Sequence, residues 1–446
     1  MGRVLIEDNS FYTLAIKEQE GKIEDALAIS KMSVVGNIYW AKVINVRGDS
    51  YFIKYSEKSD NGILFSKKNH NNGDFVICCG VRDADENKGA IFKEEVTISK
   101  RFLVFCNNFT GLKFSHKLSE YKKNTLNKIV INSDYGFIVR RTAIRADNDL
   151  LEQEMSQLTA IYKEILANAR GKKEKCLYQK TGFEKVLEEI DIEDCEIITS
   201  NKDFHQYNGV KVHSEILSLF DFYGLKEEFN NLFSRKISLP DGVEIVFDYT
   251  EAMTVIDINS CGAFGKNNNL INMSALEVVI KQIRLRNIGG IIFVDTINNK
   301  DAKNLIDFTN KLLEKDREKA RATLIKEYDI VAINRQKRYN SLKALFYNKC
   351  NKCENGFEKS IIMICREMIA DIRRLFSKNK SERIVLKVNE FIFEKIKESQ
   401  NLKDLLKMPF KTSIFIKKDP DVADYAAHFT DDNDFINGTL NIQEDK

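Results

Sequence analysis

Short apolar runs separated by polar breaks open the chain. Arg3 to Ile6, Phe11 to Lys17 and Ile23 to Ile29 read as strands, with turns at Glu7 to Ser10 and at Gly21, which predicts a small antiparallel start. From Gly36 to about Lys100 the runs stay short: Gly-Asn-Ile-Tyr-Trp-Ala-Lys-Val-Ile-Asn-Val, Ser-Tyr-Phe-Ile-Lys-Tyr, Gly-Ile-Leu-Phe and Asp-Phe-Val-Ile-Cys-Cys follow at regular spacing. That spacing predicts a small barrel. Five-stranded barrels often hold single-stranded nucleic acid, because bases stack on aromatic rings while Lys and Arg track phosphates. Phe52 and Lys88 are the candidates for that role, and the competing reading of Phe52 is a core aromatic. Further on, Leu151, Met155, Leu158, Tyr162, Ile165 and Ala169 recur at helical spacing and Gly171 closes the run, which predicts a helix over 150–170. Thr181 to Glu189 and His213 to Phe222 read as helices around a strand at Glu196 to Ser200, the alternation of an α/β layer.

The chemistry concentrates in the next segment. Glu244 to Tyr249 and Met253 to Ile258 read as a hairpin joined by Thr250 to Ala252, and its second strand runs into Asp257-Ile-Asn-Ser-Cys-Gly. Period two places Val255, Asp257 and Asn259 on one face. A carboxylate beside an amide at a strand end suits a hard cation such as Mg²⁺; the bland alternative is an Asp that satisfies a turn or caps the next helix. Leu270 to Arg286 then reads as a helix with Leu270, Met273, Leu276, Val279 or Ile280, and Ile283 inward, ended by Gly289-Gly290, and Ile291 to Asp295 reads as a buried strand. Strand, helix, strand is a crossover unit, so Asp257 and Asp295 fall at the same carboxyl-terminal edge, where two acids can share one cation. The bland reading of Asp295 is a cap for a following helix. A phosphate-binding loop is excluded at Gly265-Lys266, because Ser260 replaces the first Gly and Asn267 the final Ser or Thr. Lys281, Arg284 and Arg286 make the helix basic, either a solvated face or a phosphate contact.

Cys350-Asn-Lys-Cys353 is the one C-x-x-C of the sequence. It is half of a tetrahedral Zn²⁺ site, completed by a second chain or by Cys365 and a distant His, or else a redox pair. The other thiols carry no such spacing: nine cysteines, an odd number, scattered over 446 residues read as reduced thiols of the cytoplasm. The acidic start after Met1 does not resemble a signal peptide, and no apolar run approaches the roughly 18 residues of a membrane span. Length predicts about two to four domains. With 43% hydrophobic residues disorder is excluded, and 69 Lys+Arg against 66 Asp+Glu leave +3, so any basic face is local. Three prolines and no Gly/Ser-rich linker give the boundaries no sharp marker, and no repeat of a solenoid or propeller is visible.

Taken together, these segments resemble the ribonuclease E/G family of endoribonucleases over nearly the whole chain. Gly36-Asn-Ile-Tyr39 is similar to the start of the family's S1 barrel, Asn87-Lys-Gly-Ala90 to its exit and Arg141-Thr-Ala143 to its 5′-end sensor. Thr250 to Ser260, Phe264-Gly-Lys266 and Gln282 to Ile292 resemble the catalytic core in order and spacing, Asn334-Arg-Gln-Lys-Arg338 with Cys350/Cys353 the zinc link, and Lys417 to Asp424 the end of the small C-terminal domain. The resemblance implies an α/β multidomain fold: an RNase H-like subdomain (1–35 and 171–234) with an inserted S1 (OB-fold) barrel (36–100) and 5′ sensor region (101–170). A DNase I-like catalytic subdomain (235–345), a zinc link (346–358) and a small C-terminal α/β domain (359–446) would follow.

By matched position, Asp257 and Asp295 would hold Mg²⁺ with Asn259 in support, for hydrolysis of single-stranded RNA in rRNA and mRNA processing and decay, to 5′-phosphate and 3′-hydroxyl ends. Arg141 and Thr142 would take a 5′ monophosphate, and Phe52 and Lys88 the single strand. Cys350 and Cys353 would share Zn²⁺ between two protomers, giving a homodimer and leaving a dimer of dimers open. Asp295-Thr-Ile-Asn298 stands where the family usually has Asp-Phe-Ile-Asp, Lys319 where a further sensor Arg is expected, Arg140-Arg141 adds a residue before the sensor Thr, and Asn351 replaces the usual Pro. These departures favour a second expectation, an RNA-binding protein of this fold with weakened or lost nuclease activity. The long tail of the larger family members is absent, so the length resembles the shorter, ribonuclease G-like branch.

Overall fold

The computed structural model describes residues 2–48, 50–57, 61–85, 88–115, 134–140, 142–143, 146–206, 209–261, 267–298, 302–351, 353, 356–379, 383–410, 412–430 and 438–442. The chain divides into two compact units, residues 32–191 and residues 1–31 with 192–446. It is a mixed α/β protein.

In the unit 32–191, the strands Ile38–Arg47, Ser50–Lys54, Gly62–Phe65, Phe75–Arg82 and Ile91–Lys93 close a barrel. Numbered from the first, their order is 1-2-3-5-4-1, with only the third and fifth parallel, an OB-like arrangement. Alternation decides what fills it: Ala41, Val43, Tyr51, Ile53, Leu64, Val76, Cys78 and Phe92 are buried together, and Phe52 is not among them. Gly62 is required where it stands, since a Cβ there would lie 2.4 Å from the Phe92 ring. A second sheet, in the order Gly111–Phe114, Gly136–Val139, Leu103–Cys106, Thr97–Ser99, carries the helix Asn148–Asn168. That helix lays Leu151, Leu158, Tyr162 and Ile165 on Phe105 and Phe137. Its inner face also buries Glu154, whose carboxylate accepts from the Phe102 and Leu103 N–H groups at 2.8 and 2.7 Å.

In the other unit, the opening strands Gly2–Asp8, Tyr12–Gln19 and Lys22–Ser30 extend, through parallel pairing of the first with Cys195–Thr199 and then Val210–Val212, into a five-stranded mixed sheet. The helix expected over His213 to Phe222 shrinks to Leu219–Phe222, because Ser218 caps it, accepting from the Asp221 N–H. A six-stranded sheet follows, ordered Lys236–Ser238, Glu244–Tyr249, Met253–Asn259, Gly290–Asp295, Ile330–Arg335, Ala320–Ile325. The helices Asn268–Leu285 and Ala302–Leu313 contribute to one core with Ile256, Ile258, Ile292 and Val294. The first of them is rotated from the expected stripe: Ile271, Ala275, Leu276, Val279, Ile280 and Ile283 are buried, while Leu270 is 65% exposed. A hairpin, Tyr347–Lys349 with Phe357–Lys359, leads to the helix Ile361–Asn379 and a four-stranded sheet that includes Arg383–Val388 and Ser413–Lys418. No helix among the described residues is long and apolar enough to cross a membrane.

Candidate active site and metal centres

Strand alternation and crossover topology together build the acid pair. In Met253–Asn259 the residues Thr254, Ile256 and Ile258 are buried, which turns Val255, Asp257 and Asn259 to the opposite face. Gly290–Asp295 pairs parallel to it, and the register sets Asp257 directly beside Asp295 at the carboxyl ends of both strands. The Asn259 amide donates from Nδ2 to Asp257 Oδ2 at 2.7 Å, which fixes that carboxylate and leaves its other oxygen free of this bond. Asp295 is exposed, yet partial desolvation, then the charges of Asp257 and Asp329, raise its carboxyl above the ordinary range. Like charges held side by side need a counter-charge. Hard oxygens on one sheet edge, steadied by an amide, fit a divalent cation such as Mg²⁺ that keeps several of its waters.

Among the described residues neither acid caps a helix. Asn267, not Asp257, caps the following helix, accepting from the Asn269 N–H at 2.9 Å. After Asp295 no helix begins in residues 296–298, which are held from two sides. The Thr296 N–H and hydroxyl both donate to the Asp329 carbonyl. On the other side Asn272, fully buried, donates to the Ile297 carbonyl at 2.6 Å and accepts from its N–H at 3.0 Å, while Asn268 donates to the Asn298 carbonyl at 3.0 Å. The backbone that leaves the acid pair is therefore set by side chains of the crossover helix. Asp329 and Asn272 escaped the sequence reading. Asp329 sits in a left-handed turn (φ 52°) between two strands, outside any periodic pattern, and Asn272 interrupts an apolar stripe. Phe264, Gly265 and Lys266 lie outside the described residues.

The basic residues of the crossover helix are committed to structure, which answers the choice between a solvated face and a phosphate contact with a third outcome. Lys281 Nζ meets Glu24 Oε1 at 2.8 Å, and Arg284 Nη2 donates to the Glu24 carbonyl at 3.0 Å. Arg286 is buried over the Phe247 ring and donates to the Ser234 carbonyl at 2.7 Å. Their partners are some 40 to 260 residues away or within the helix, so no local pattern announces them.

The two sulfurs of Cys350 and Cys353 lie 3.0 Å apart in the hairpin 347–359, and the Glu358 carboxylate is within 4.8 Å, a group that can hold a metal ion. Backbone bonds from Cys350 N–H to the Gly356 carbonyl and from Gly356 N–H to the Cys353 carbonyl, both 2.9 Å, close the loop. Sharing a proton with Cys350 raises the Cys353 thiol, a shift that a bound cation reverses. Cys365 is not part of this group. It is buried in the apolar core of the C-terminal helices and sheet, where burial pushes its thiol up to about 12. Lys343, at the foot of this hairpin, points its ammonium at the rings of Phe357 (3.5 Å) and Tyr249 (4.4 Å) and is held down to about 8, first by burial and then by Arg286.

In the barrel unit, Phe52 stands half-buried on the outer surface with Arg47 over its ring at 5.7 Å, and is not the core aromatic of the bland reading. Phe65, which the sequence reading passed over, is exposed on the same outer face, since Ile63 pairs with Phe52 and Phe65 lies two residues on. Lys88 is exposed and bridged to Asp85. Thr142 donates its hydroxyl to the Arg101 carbonyl, and Arg140 gives Nη1 to the Lys100 carbonyl at 2.6 Å. Arg141 and Asn87 lie outside the described residues. Lys319, in the other unit, is exposed, its carbonyl accepting from the Gln336 N–H at 2.8 Å.

Residues 97–338, a span that contains both acids, match the Ribonuclease E/G family. Ribonuclease G of Salmonella typhimurium (strain SL1344) is 26% identical over 353 residues, 72% of each chain. Ribonuclease G of Escherichia coli (strain K12) is 26% identical over 359 residues, 73% of each. A putative ribonuclease E of Buchnera aphidicola subsp. Baizongia pistaciae is 25% identical over 373 residues, 72% of this chain and 90% of its own.

Proposed function

Because this chain belongs to the ribonuclease E/G family and is an endoribonuclease of RNA processing, we propose that it cuts single-stranded RNA by metal-assisted hydrolysis, leaving a 5′ phosphate and a 3′ hydroxyl. One observation carries this reading: Asp257 and Asp295 face each other in register at a sheet edge, with Asn259 bonded to the first. The two carboxylates are the ligands of Mg²⁺, Asn259 keeps Asp257 from rotating away, and Asp329 adds negative field beside Asp295. Mg²⁺ held there would activate water and offset charge on the phosphate. Protonation empties the site of a ligand, and Asp295, with its raised carboxyl, loses its charge sooner on acidification than an ordinary Asp. Asn298 is exposed and, among the described residues, its backbone carbonyl accepts from Asn268, so the amide in place of the family's usual acid leaves the register of the pair unchanged.

The test is cleavage of an internally labelled, A/U-rich single strand with and without Mg²⁺. Asp257→Asn and Asp295→Asn should each lower kcat by about 10²–10³-fold or more while leaving folding unchanged. Salt-sensitive binding without Mg²⁺-dependent cutting, or variants as active as the parent, would replace the nuclease with an RNA-binding protein. In the same reading Phe52, Phe65 and Lys88 hold the single strand on the barrel, and Arg141 and Thr142 take a 5′ monophosphate. Cys350, Cys353 and Glu358 are one protomer's share of a Zn²⁺ site that joins a homodimer, at one zinc per two chains. Metal analysis with light scattering checks it; one zinc per monomer, unmoved by Cys350→Ser, sinks the shared site.

A further inference from the structure

Among the described residues four aromatic side chains are exposed, Phe65, Phe222, Tyr328 and Phe391, and two of them have ring or cation neighbours. Phe391 lies under Lys395, and Phe222 packs on His213 and Tyr223. Tyr328 is the most exposed of them, at 71%, and among the described residues it makes no ring, cation or hydrogen-bond contact. It ends the short turn Lys326–Tyr328; Asp329 then takes the left-handed conformation, and the next residue, Ile330, pairs with Asp295. The turn is fastened to the strand of Asp295 by the two bonds from Thr296 to the Asp329 carbonyl. Strand order places it beyond the carboxyl end of Gly290–Asp295, the same edge as the acid pair, about two strand spacings of ~4.8 Å from Asp257. An apolar ring left in water contributes nothing to the core, and surface tyrosines are common. This one is anchored rigidly, stands beside the acids, and has the exposed Lys326 two residues before it.

We propose that Tyr328 is a stacking platform for the base of a nucleotide next to the scissile phosphate, with Lys326 against the neighbouring backbone phosphate. The inference rests on the nuclease reading above. Stacking accepts any base, because each has a π-face, so the contact fixes the strand in register without selecting sequence. It places the phosphodiester bond over the acid pair by holding what lies beside it.

A short RNA with one cleavage site, and a set in which each nucleotide around that site is made abasic in turn, tests it. Tyr328→Ala should lower kcat/KM about 5- to 100-fold, as loss of one stacked base does, and Tyr328→Phe should restore it. One abasic position flanking the cut should slow the parent protein and leave Tyr328→Ala unaffected. Tyr328→Ala within twofold of the parent, or an abasic penalty equal in both proteins, overturns the platform while parental cleavage keeps the nuclease reading. A readout without Mg²⁺ separates the two: with EDTA, Tyr328→Trp should show fluorescence quenching by the oligonucleotide beyond that of Trp40 in the parent. Absence of that extra quenching overturns the platform even in a protein that cuts; quenching in a protein that does not cut supports it and removes only the nuclease.

Discussion

Two charged clusters occupy the same six-stranded sheet and are built on opposite terms. At one edge Asp257, half-buried, and Asp295, exposed, stand side by side with no cation from the protein among their described partners. In the other, Arg335 and Asp316 are 0% and 1% exposed and joined twice, Nε to Oδ2 at 2.9 Å and Nη2 to Oδ1 at 2.8 Å. Its remaining donor, Nη1, reaches the Asn287 side chain at 3.2 Å and the Ile288 carbonyl at 3.0 Å. The neighbours repeat the scheme: Arg317 pairs with Asp25, and Glu318 with Arg338 at 2.9 Å. Burial alone would raise the Asp316 carboxyl, but the bonds and charge of Arg335, with the Glu318 N–H, hold it below the ordinary range, whereas Asp295 is raised. A cluster that folding needs is satisfied by the chain itself, and one that binds something is left unsatisfied. Charge density does not distinguish the two, but partnership does.

The contrast is sharpest under mutation. Asp257→Asn and Asp295→Asn should lower kcat as stated above and relieve repulsion, so their urea midpoints should equal or slightly exceed that of the parent. Arg335→Leu should do the reverse. It strands a buried carboxylate and costs about 3–5 kcal/mol of stability, read as a lower urea midpoint, while cleavage by the fraction still folded is retained. Asp316→Leu combined with Arg335→Leu should recover much of that loss, since no charge is then left buried. A cost below about 1 kcal/mol for Arg335→Leu, the size of an exposed pair, would erase the distinction drawn between the clusters.

Much of the acid edge was legible because it depends on local rules. Alternation put Asp257 and Asn259 on one face, and strand, helix, strand put Asp295 at the same edge. The barrel was legible from run lengths, and Phe52 on its outside follows from Tyr51 and Ile53 turning in. What stayed hidden depends on distant partners. Lys281 and Arg284 look like phosphate ligands until Glu24 and Asp25 are brought to them. Arg335 and Arg338, within the Asn-Arg-Gln-Lys-Arg segment, are basic in sequence and neutralised in the fold. Glu358 follows the cysteine pair by five residues and becomes a neighbour only when the hairpin closes. Asn272 breaks a hydrophobic stripe, and its value lies in a backbone 25 residues away.

The smallest expected effect separates the clusters by sign. Asp295 binds protons more readily folded than unfolded, so its contribution to stability increases as pH falls through its raised folded pKa and is lost again as pH rises. Asp316 is depressed on folding; its contribution is present above the unfolded Asp value of about 3.9 and is lost as pH falls toward the folded one. As pH falls from neutral toward the unfolded Asp value of about 3.9 the first group therefore steadies the protein, and below that value the second weakens it. Urea midpoints across that range should show a shallow rise in the parent relative to Asp295→Asn, whose amide cannot titrate, and both proteins should then fall together. Salt should shrink the rise, because Asp295 is open to the counter-ions that screen its repulsion from Asp257, and should leave the buried Asp316 limb nearly unchanged. Parallel curves for parent and Asp295→Asn would mean that the acids do not repel one another at the sheet edge, and the unsatisfied charge that sets this edge apart from the Arg335 cluster would be gone.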